Sequence, residues 1–292
     1  MKVIDTHVHV WDPAALDYAW LADDPALNKP FMPSDLPHAA AATRAAIFVQ
    51  ADCREDQALK EVDWVSSLSA GWPQLAAIVA FAPISRGDNV AEDLDQLLER
   101  PLVRGVRQLF QDRDNSFILH PAMLAGARQV ARAGLTFDAC IRFGQLPALA
   151  KFADGVPDLQ IVLDHLGKPP IDSGELTAWS RGMRELARRP NIVVKISGAG
   201  AEADRNRPLA PQALPFITET LNLFGSERCM FGSDWPVSLT RPADYQDWIT
   251  IVETALTGAS AGERESVAEG TANRVYRLDR ATEQVATQQE KD

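Results

Sequence analysis

Cysteine is scarce in this chain of 292 residues: Cys53, Cys140 and Cys229 are scattered, odd in number and without a CxxC pair. That pattern excludes a disulfide framework and predicts reduced, packed thiols in a cytoplasmic protein. Positive charge is also in short supply. The 29 Lys and Arg face 40 Asp and Glu, leaving a net charge of −11, which argues against nucleic acid and anionic membrane surfaces as partners. Long apolar runs are missing as well. The longest uncharged stretch, 65–85, contains Gly71, Pro73, Gln74 and Pro83, so it is not one membrane helix. Asp5, His7 and His9 stand where a leader would need its apolar core, and no cleaved leader is expected. No glycine-rich dinucleotide turn follows the first strand-like run.

What is present starts with Val3-Ile4-Asp5-Thr6-His7-Val8-His9-Val10. Strand alternation puts Ile4, Thr6, Val8 and Val10 on one face and Asp5, His7 and His9 on the other. Such a strand is expected to be buried on both sides, its polar face turned into a site. Histidines at i and i+2 can aim at one metal ion or one reacting group, or can simply be hydrogen-bonded imidazoles in a polar interior. The spacing alone supports both readings equally.

Apolar runs recur at 45–50, 75–81, 103–109, 135–141, 159–164, 192–197 and 229–232, which with 3–10 makes eight. Helical periodicity lies between them: Val90, Leu94, Leu97 and Leu98; Leu176, Trp179, Met183 and Leu186 after a Ser173 cap; Leu214, Ile217, Leu221 and Phe224 after Pro211. Two further helices, 243–256 and 263–276, close the pattern. Alternating strands and amphipathic helices give an α/β fold, and eight units predict a (β/α)8 TIM barrel forming a single domain over 1–278. Residues 279–292 read as a polar, disordered tail. The segment 11–36, rich in Pro and aromatics, reads as a lid or a covering flap.

Chemistry in such barrels sits at the C-terminal strand ends. These ends carry His7 and His9; Gln50 and Asp52; Arg107; Asp138 and Arg142; Asp164 and His165; Lys195 and Ser197; Ser233 and Asp234. The concentration favours a site over chance placement. Singly, several have structural readings: Lys195 as a buried partner of Asp138 or Asp164, Asp164 pointing away from His165 as a cap, Arg107 bridging carboxylates, and Asp12, Gln50 and Asp52 holding loops. His38 and His120, beside prolines, are expected at the surface.

His7-Val8-His9, Asp164-His165-Leu166-Gly167-Lys168-Pro169 and Gly232-Ser233-Asp234-Trp235-Pro236, in that order, resemble the amidohydrolase superfamily. The likeness is to its amidohydrolase-2 branch, which contains sugar lactonases and the pyrone-dicarboxylate lactonase. Gly105-Val106-Arg107-Gln108, Phe137-Asp138-Ala139-Cys140, Val194-Lys195-Ile196-Ser197-Gly198 and Gly270-Thr271-Ala272-Asn273-Arg274-Val275-Tyr276 extend it over nearly the whole chain.

The resemblance implies that His7, His9, His165 and Asp234 converge at the barrel mouth, as metal ligands if a metal is bound. Arg107 stands where a bridging ligand would be needed, so like-charge repulsion argues against a second metal. One divalent ion such as Zn²⁺, or a metal-free site, both fit, and no organic cofactor is implied.

The reading that follows is a hydrolase opening a sugar-derived lactone. Asp234 activates water, and His7, His9, His165 and Arg107 polarise the carbonyl. Trp11, Trp20, Gln50, Asp138, Arg142, Lys195 and Trp235 are the candidate substrate contacts, the tryptophans as stacking faces or as lid packing. A pyrone-dicarboxylate lactonase, or a metal-dependent decarboxylase or hydratase, are the enzymatic alternatives, and a non-enzymatic binding barrel the last. The expected partner is a small-molecule lactone, and the protein a monomer or homo-oligomer.

Overall fold

The computed structural model describes residues 1–36, 42–239 and 245–278. Eight parallel strands follow one another in chain order around a single sheet: β1 (Val3–Val8), β2 (Thr43–Val49), β3 (Leu75–Phe81), β4 (Val103–Arg107), β5 (Thr136–Ala139), β6 (Ile161–Leu163), β7 (Ile192–Ile196) and β8 (Cys229–Phe231). Closure falls between β8 and β1. The Thr6 hydroxyl donates to the Phe231 carbonyl at 2.6 Å, Asp234 N to the His7 carbonyl at 2.8 Å and His9 N to the Trp235 carbonyl at 2.8 Å. The same backbone bonds that shut the barrel therefore bring Asp234 beside the two early histidines.

Outside the strands lie α1 (Ala58–Ser67), α2 (Ala91–Leu98), α3 (Asn115–Ile118), α4 (Pro121–Arg132), α5 (Leu146–Asp154), α6 (Leu176–Leu186), α7 (Ala199–Glu202), α8 (Leu209–Phe224), α9 (Tyr245–Ala255), α10 (Ala261–Glu265) and α11 (Thr271–Tyr276). Their apolar stripes and the outward faces of the strands form the outer core. None of the described helices is long and apolar enough to cross a membrane.

A second cluster fills the barrel: Ile4, Ile47, Val49, Ala77, Val79, Val162, Val193 and Met230, joined by Val275, Tyr276 and Leu278 from the end of α11. The C-terminal helix thus plugs the floor, leaving the opposite mouth for the site.

Local details depart from sequence expectation. The register slips between Asp5 and Val8, so Ile4 joins the inner cluster while Val8 and Val10 pack outside. Asp5 is bonded to Tyr245 of α9 and to Ser233 N. The simple two-face alternation of the first strand fails because a bulge intervenes. Helix α6 is capped by Glu175, which accepts from Ala178 N, rather than by Ser173. Helix α8 begins at Leu209, ahead of Pro211, and buries Ala213, Phe216, Ile217, Thr220 and Phe224. Leu98 is half exposed although Val90, Leu94 and Leu97 are buried. The expected last helix, 263–276, is broken by a π turn at Ser266–Gly270. His120 is exposed and caps α4 through Ala122 N. His38, residues 243–244 and the tail from 279 lie outside the described residues.

Candidate active site

Imidazoles and one carboxylate meet at the barrel mouth. His7 Nε2 lies 3.1 Å from His9 Nε2 and 3.7 Å from Asp234 Oδ1. His9 Nε2 is 3.5 Å and His165 Nε2 3.8 Å from the same oxygen. His7 is fully buried, and His9, His165 and Asp234 are only 4–5% exposed. Residues 7, 9, 165 and 234 converge.

Each side chain is held from behind. His9 Nδ1 sits 2.7 Å from the Val49 carbonyl. A carbonyl only accepts, so Nδ1 carries the proton and the Nε2 lone pair faces the centre. His165 Nδ1 pairs with Ser197 Oγ at 3.0 Å. Asp234 Oδ2 accepts from Ser238 Oγ at 2.7 Å.

Backbone strain accompanies this placement. Asp234 has φ 59°, and His165, Leu166, Gly167 and Lys168 form a left-handed run with φ 56°, 56°, 69° and 48°. Each non-glycine residue there costs about 1–2 kcal/mol, and such strain marks functional positions when tertiary packing over-determines it. It also explains why Asp164 and His165, neighbours in sequence, both serve one centre: His165 leaves strand geometry, so alternation no longer separates them. Gly198, at φ +71°, packs so closely on His165 that an added Cβ would lie 2.5 Å from Nδ1.

Beneath the imidazoles lies a buried charge layer. Lys195 Nζ donates to Asp138 Oδ2 at 2.5 Å and lies 3.2 Å from both Asp164 Oδ1 and His7 Nδ1. Arg107 reaches Asp164 Oδ2 at 3.3 Å and the Gln50 carbonyl at 2.5 Å. Its Nη1 is 3.4 Å from His7 Nε2. Tyr276 donates from the floor to Asp138 at 2.8 Å.

Burial would raise the Asp164 carboxyl, but Lys195 and His7 overturn that and hold it well below the usual range. Asp234 behaves alike: burial opposes ionisation, while the neighbouring His165, His9 and His7 outweigh it. Desolvation lowers His7 well below its ordinary value despite Asp164, and lowers His165 to about 4. At neutral pH His7 and His165 are therefore neutral beside the ionised carboxylate of Asp234.

The donor set fits one metal ion. In a tetrahedral zinc site, bonds of about 2.0–2.1 Å put ligand atoms roughly 3.3 Å apart, near the separations among His7, His9 and Asp234. These three, and separately His7, Asp164 and His165, are groups able to hold an ion. One orphan supports the fit. Asp164 Oδ1 is fully buried and accepts no hydrogen bond of good geometry, although the Lys195 ammonium and His7 Nδ1 both lie 3.2 Å away. Ligation through His7 Nε2 would place a proton on Nδ1 and satisfy it.

The remaining sequence candidates divide. Trp235 is nearly buried at the mouth against Phe31. Trp20 is half-buried and donates to the Ala51 carbonyl at 2.8 Å. Trp11 has no exposed surface: it is the core of the flap, packed on Trp20 and Phe31, its Nε1 donating to Leu27 and Lys29 carbonyls. Of the two readings of Trp11, stacking face or lid packing, its burial and contacts match packing within the flap.

Arg142 points to the exposed rim and pairs with Asp112 at 3.1 Å instead of entering the centre. Asp138 and Lys195, with no exposed surface, lie below the imidazoles rather than at the surface a substrate meets. Gln50 is buried, its Oε1 accepting from Asp52 N and its Nε2 without a partner.

Sequence reasoning missed Ser238, whose four-residue spacing from Asp234 is one helical turn, and Glu61. The latter is a buried carboxyl on the inner face of α1 that accepts from Ala51 N at 3.1 Å.

A parallel eight-stranded barrel with histidines at the end of β1 and after β6 and an aspartate after β8, all converging at one mouth, defines the class of hydrolytic (β/α)8 barrels. The chain belongs to the amidohydrolase family, whose description matches residues 4–278. It is 34% identical over 286 residues to an L-fucono-1,5-lactonase of Burkholderia ambifaria, covering 95% of this chain and 96% of that protein. Among solved structures, an amidohydrolase from Burkholderia multivorans with bound HEPES superposes with a TM-score of 0.85 at 31% identity, covering 95% of this chain and all of that one. Another crystal form of an amidohydrolase from that organism, with bound zinc, gives 0.82 at 30% identity, with the same coverage.

Proposed function

We propose that the protein hydrolyses a neutral sugar-derived lactone, of the L-fucono-1,5-lactone kind, to its hydroxy acid. The observation that carries this reading is the carboxylate of Asp234 set within 3.8 Å of three imidazoles in a buried mouth. The activity named for the Burkholderia ambifaria relative supports it.

Asp234 takes a proton from water as the oxygen attacks the lactone carbonyl, a general-base step worth about 10²–10⁴ in rate. Ser238 fixes the carboxylate from its far oxygen. His165, held by Ser197, lies beside the same carboxylate and takes part in moving the proton to the leaving ring oxygen. Arg107, together with Asp164 and Lys195, fixes His7 and supplies positive potential beneath the developing oxyanion.

His7, His9 and Asp234, with His165 nearby, would hold one divalent ion, and zinc in a relative of the same fold supports that assignment. Such an ion supplies Lewis acidity toward the carbonyl oxygen.

A lactone is a strained, activated ester, so the demand on this site is smaller than for an amide. A dicarboxylate substrate is disfavoured: of the two arginines that the strand ends offer, Arg142 pairs with Asp112, and Arg107 with Asp164 and the Gln50 carbonyl.

The test is proton release against a panel of sugar and pyrone lactones, with and without chelator, on protein assayed for zinc. Turnover of aldonolactones above pyrones is expected; turnover of pyrone-dicarboxylate alone, or none, would overturn the proposal.

A further inference from the structure

On the side of the mouth away from the flap, the loops after β4, β5 and β6 bring Gln111, Cys140 and Lys168 together. Lys168 is half-buried, and its ammonium donates to the amide oxygen of Gln111, which also accepts from Cys140 Sγ at 3.4 Å. That amide is neutral. Among the described residues no carboxylate lies within ion-pair distance of Nζ, unlike the buried Lys195, which has two. The charge reaches inward all the same: it opposes protonation of His165 and offsets part of the burial that raises the Cys140 thiol, and Glu202 feels it across the rim. Lys168 itself sits at φ 48°, ψ 67°, closing the left-handed run that begins at His165. The turn that aims His165 at Asp234 thus also delivers an uncompensated cation to the lip of the same site. A partly desolvated ammonium without a counter-ion calls for an anion.

We propose that Lys168 binds the carboxylate that ring opening creates, an inference that rests on the lactonase reading above. The reaction supplies the charge. Water oxygen bonds to the carbonyl carbon and the ring C–O bond breaks. One proton ends on the ring oxygen as a hydroxyl, and the other is released when the new acid ionises. The substrate is neutral and the product carries one negative charge. A cation on the rim therefore distinguishes product from substrate, and Gln111 holds it in place without neutralising it.

The test is calorimetric binding of L-fuconate, with L-fucitol as the equivalent lacking a carboxylate, to the intact wild-type protein and to Lys168→Met, Lys168→Gln and Lys168→Arg. Loss of a charge-assisted bond is expected to weaken L-fuconate binding by about tenfold or more in the Met and Gln variants. The Arg variant is expected to retain most of it, and L-fucitol to bind all four proteins alike. The Gln variant, which keeps a polar link to Gln111, guards against a folding defect in the Met variant. Unchanged L-fuconate binding in either neutral variant would overturn the proposal, as would a wild-type protein that binds L-fuconate no more tightly than L-fucitol. Lys168-dependent L-fuconate binding in a protein that hydrolyses no lactone would strike the assigned activity and leave this inference standing.

Discussion

Two glycines with nearly the same backbone angle give a controlled test of His165. Gly198 and Gly174 both have φ +71°; a Cβ on Gly174 meets nothing within 4 Å, whereas one on Gly198 lies 2.5 Å from His165 Nδ1, 2.6 Å from Cγ and 2.7 Å from Cβ. Alanine at either site pays the left-handed backbone penalty of about 1–2 kcal/mol. Gly198→Ala must also push the imidazole aside, breaking the bond to Ser197 Oγ, for about 1 kcal/mol, and straining the packing, for about 1–3 kcal/mol. The expected loss is then about 3–6 kcal/mol, against about 1–2 for Gly174→Ala, and the melting temperature should fall by about 2 °C per kcal/mol. The rates should separate more sharply. A displaced His165 no longer lies beside Asp234, and misplacement by an ångström costs on the order of a hundredfold in kcat; Gly174→Ala should leave kcat unchanged. Calorimetric melting and proton-release kinetics on L-fucono-1,5-lactone read both effects. Equal kcat in the two variants would refute the role given to His165.

Other consequences follow from the buried charges. Burial raises the Glu61 carboxyl from 4.5 to about 7, so the folded protein keeps a proton that the unfolded chain gives up. That contribution to stability is complete below pH 4.5 and is lost as pH rises through about 7. Glu61→Gln, which keeps an acceptor for Ala51 N, should stabilise the protein by up to about 3 kcal/mol at pH 8 and by little at pH 4.5; equal shifts in melting temperature at both pH values would contradict this. Lys195→Met strands Asp138 and Asp164 without their ammonium and should cost about 3–5 kcal/mol in urea unfolding. Adding Asp138→Asn should return about 1–3 kcal/mol; strict additivity would show that the two do not interact.

Strand-level order was legible in the sequence because a buried parallel barrel repeats one pattern eight times, and each run fell on a strand. The convergence of His7, His9, His165 and Asp234 was legible as an ordered set of motifs. What periodicity could not reveal were departures from it: the bulge that sends Ile4 inward and ties Asp5 to Tyr245, and the left-handed turn that lets Asp164 and His165 face one centre. Nor did composition distinguish an aromatic that packs a flap, Trp11, from one that borders the mouth, Trp235. Glu61 and Ser238 escaped notice because their partners, Ala51 N and Asp234 Oδ2, are set by tertiary geometry alone.

The most direct measurement is the turnover of L-fucono-1,5-lactone by Asp234→Asn against wild type, followed by proton release on samples matched for melting temperature. The account predicts a fall in kcat of about 10³ with little change in KM, since amide and carboxylate occupy the same space but only the carboxylate accepts a proton from water. Turnover within threefold of wild type, roughly 0.6 kcal/mol of barrier, would contradict it.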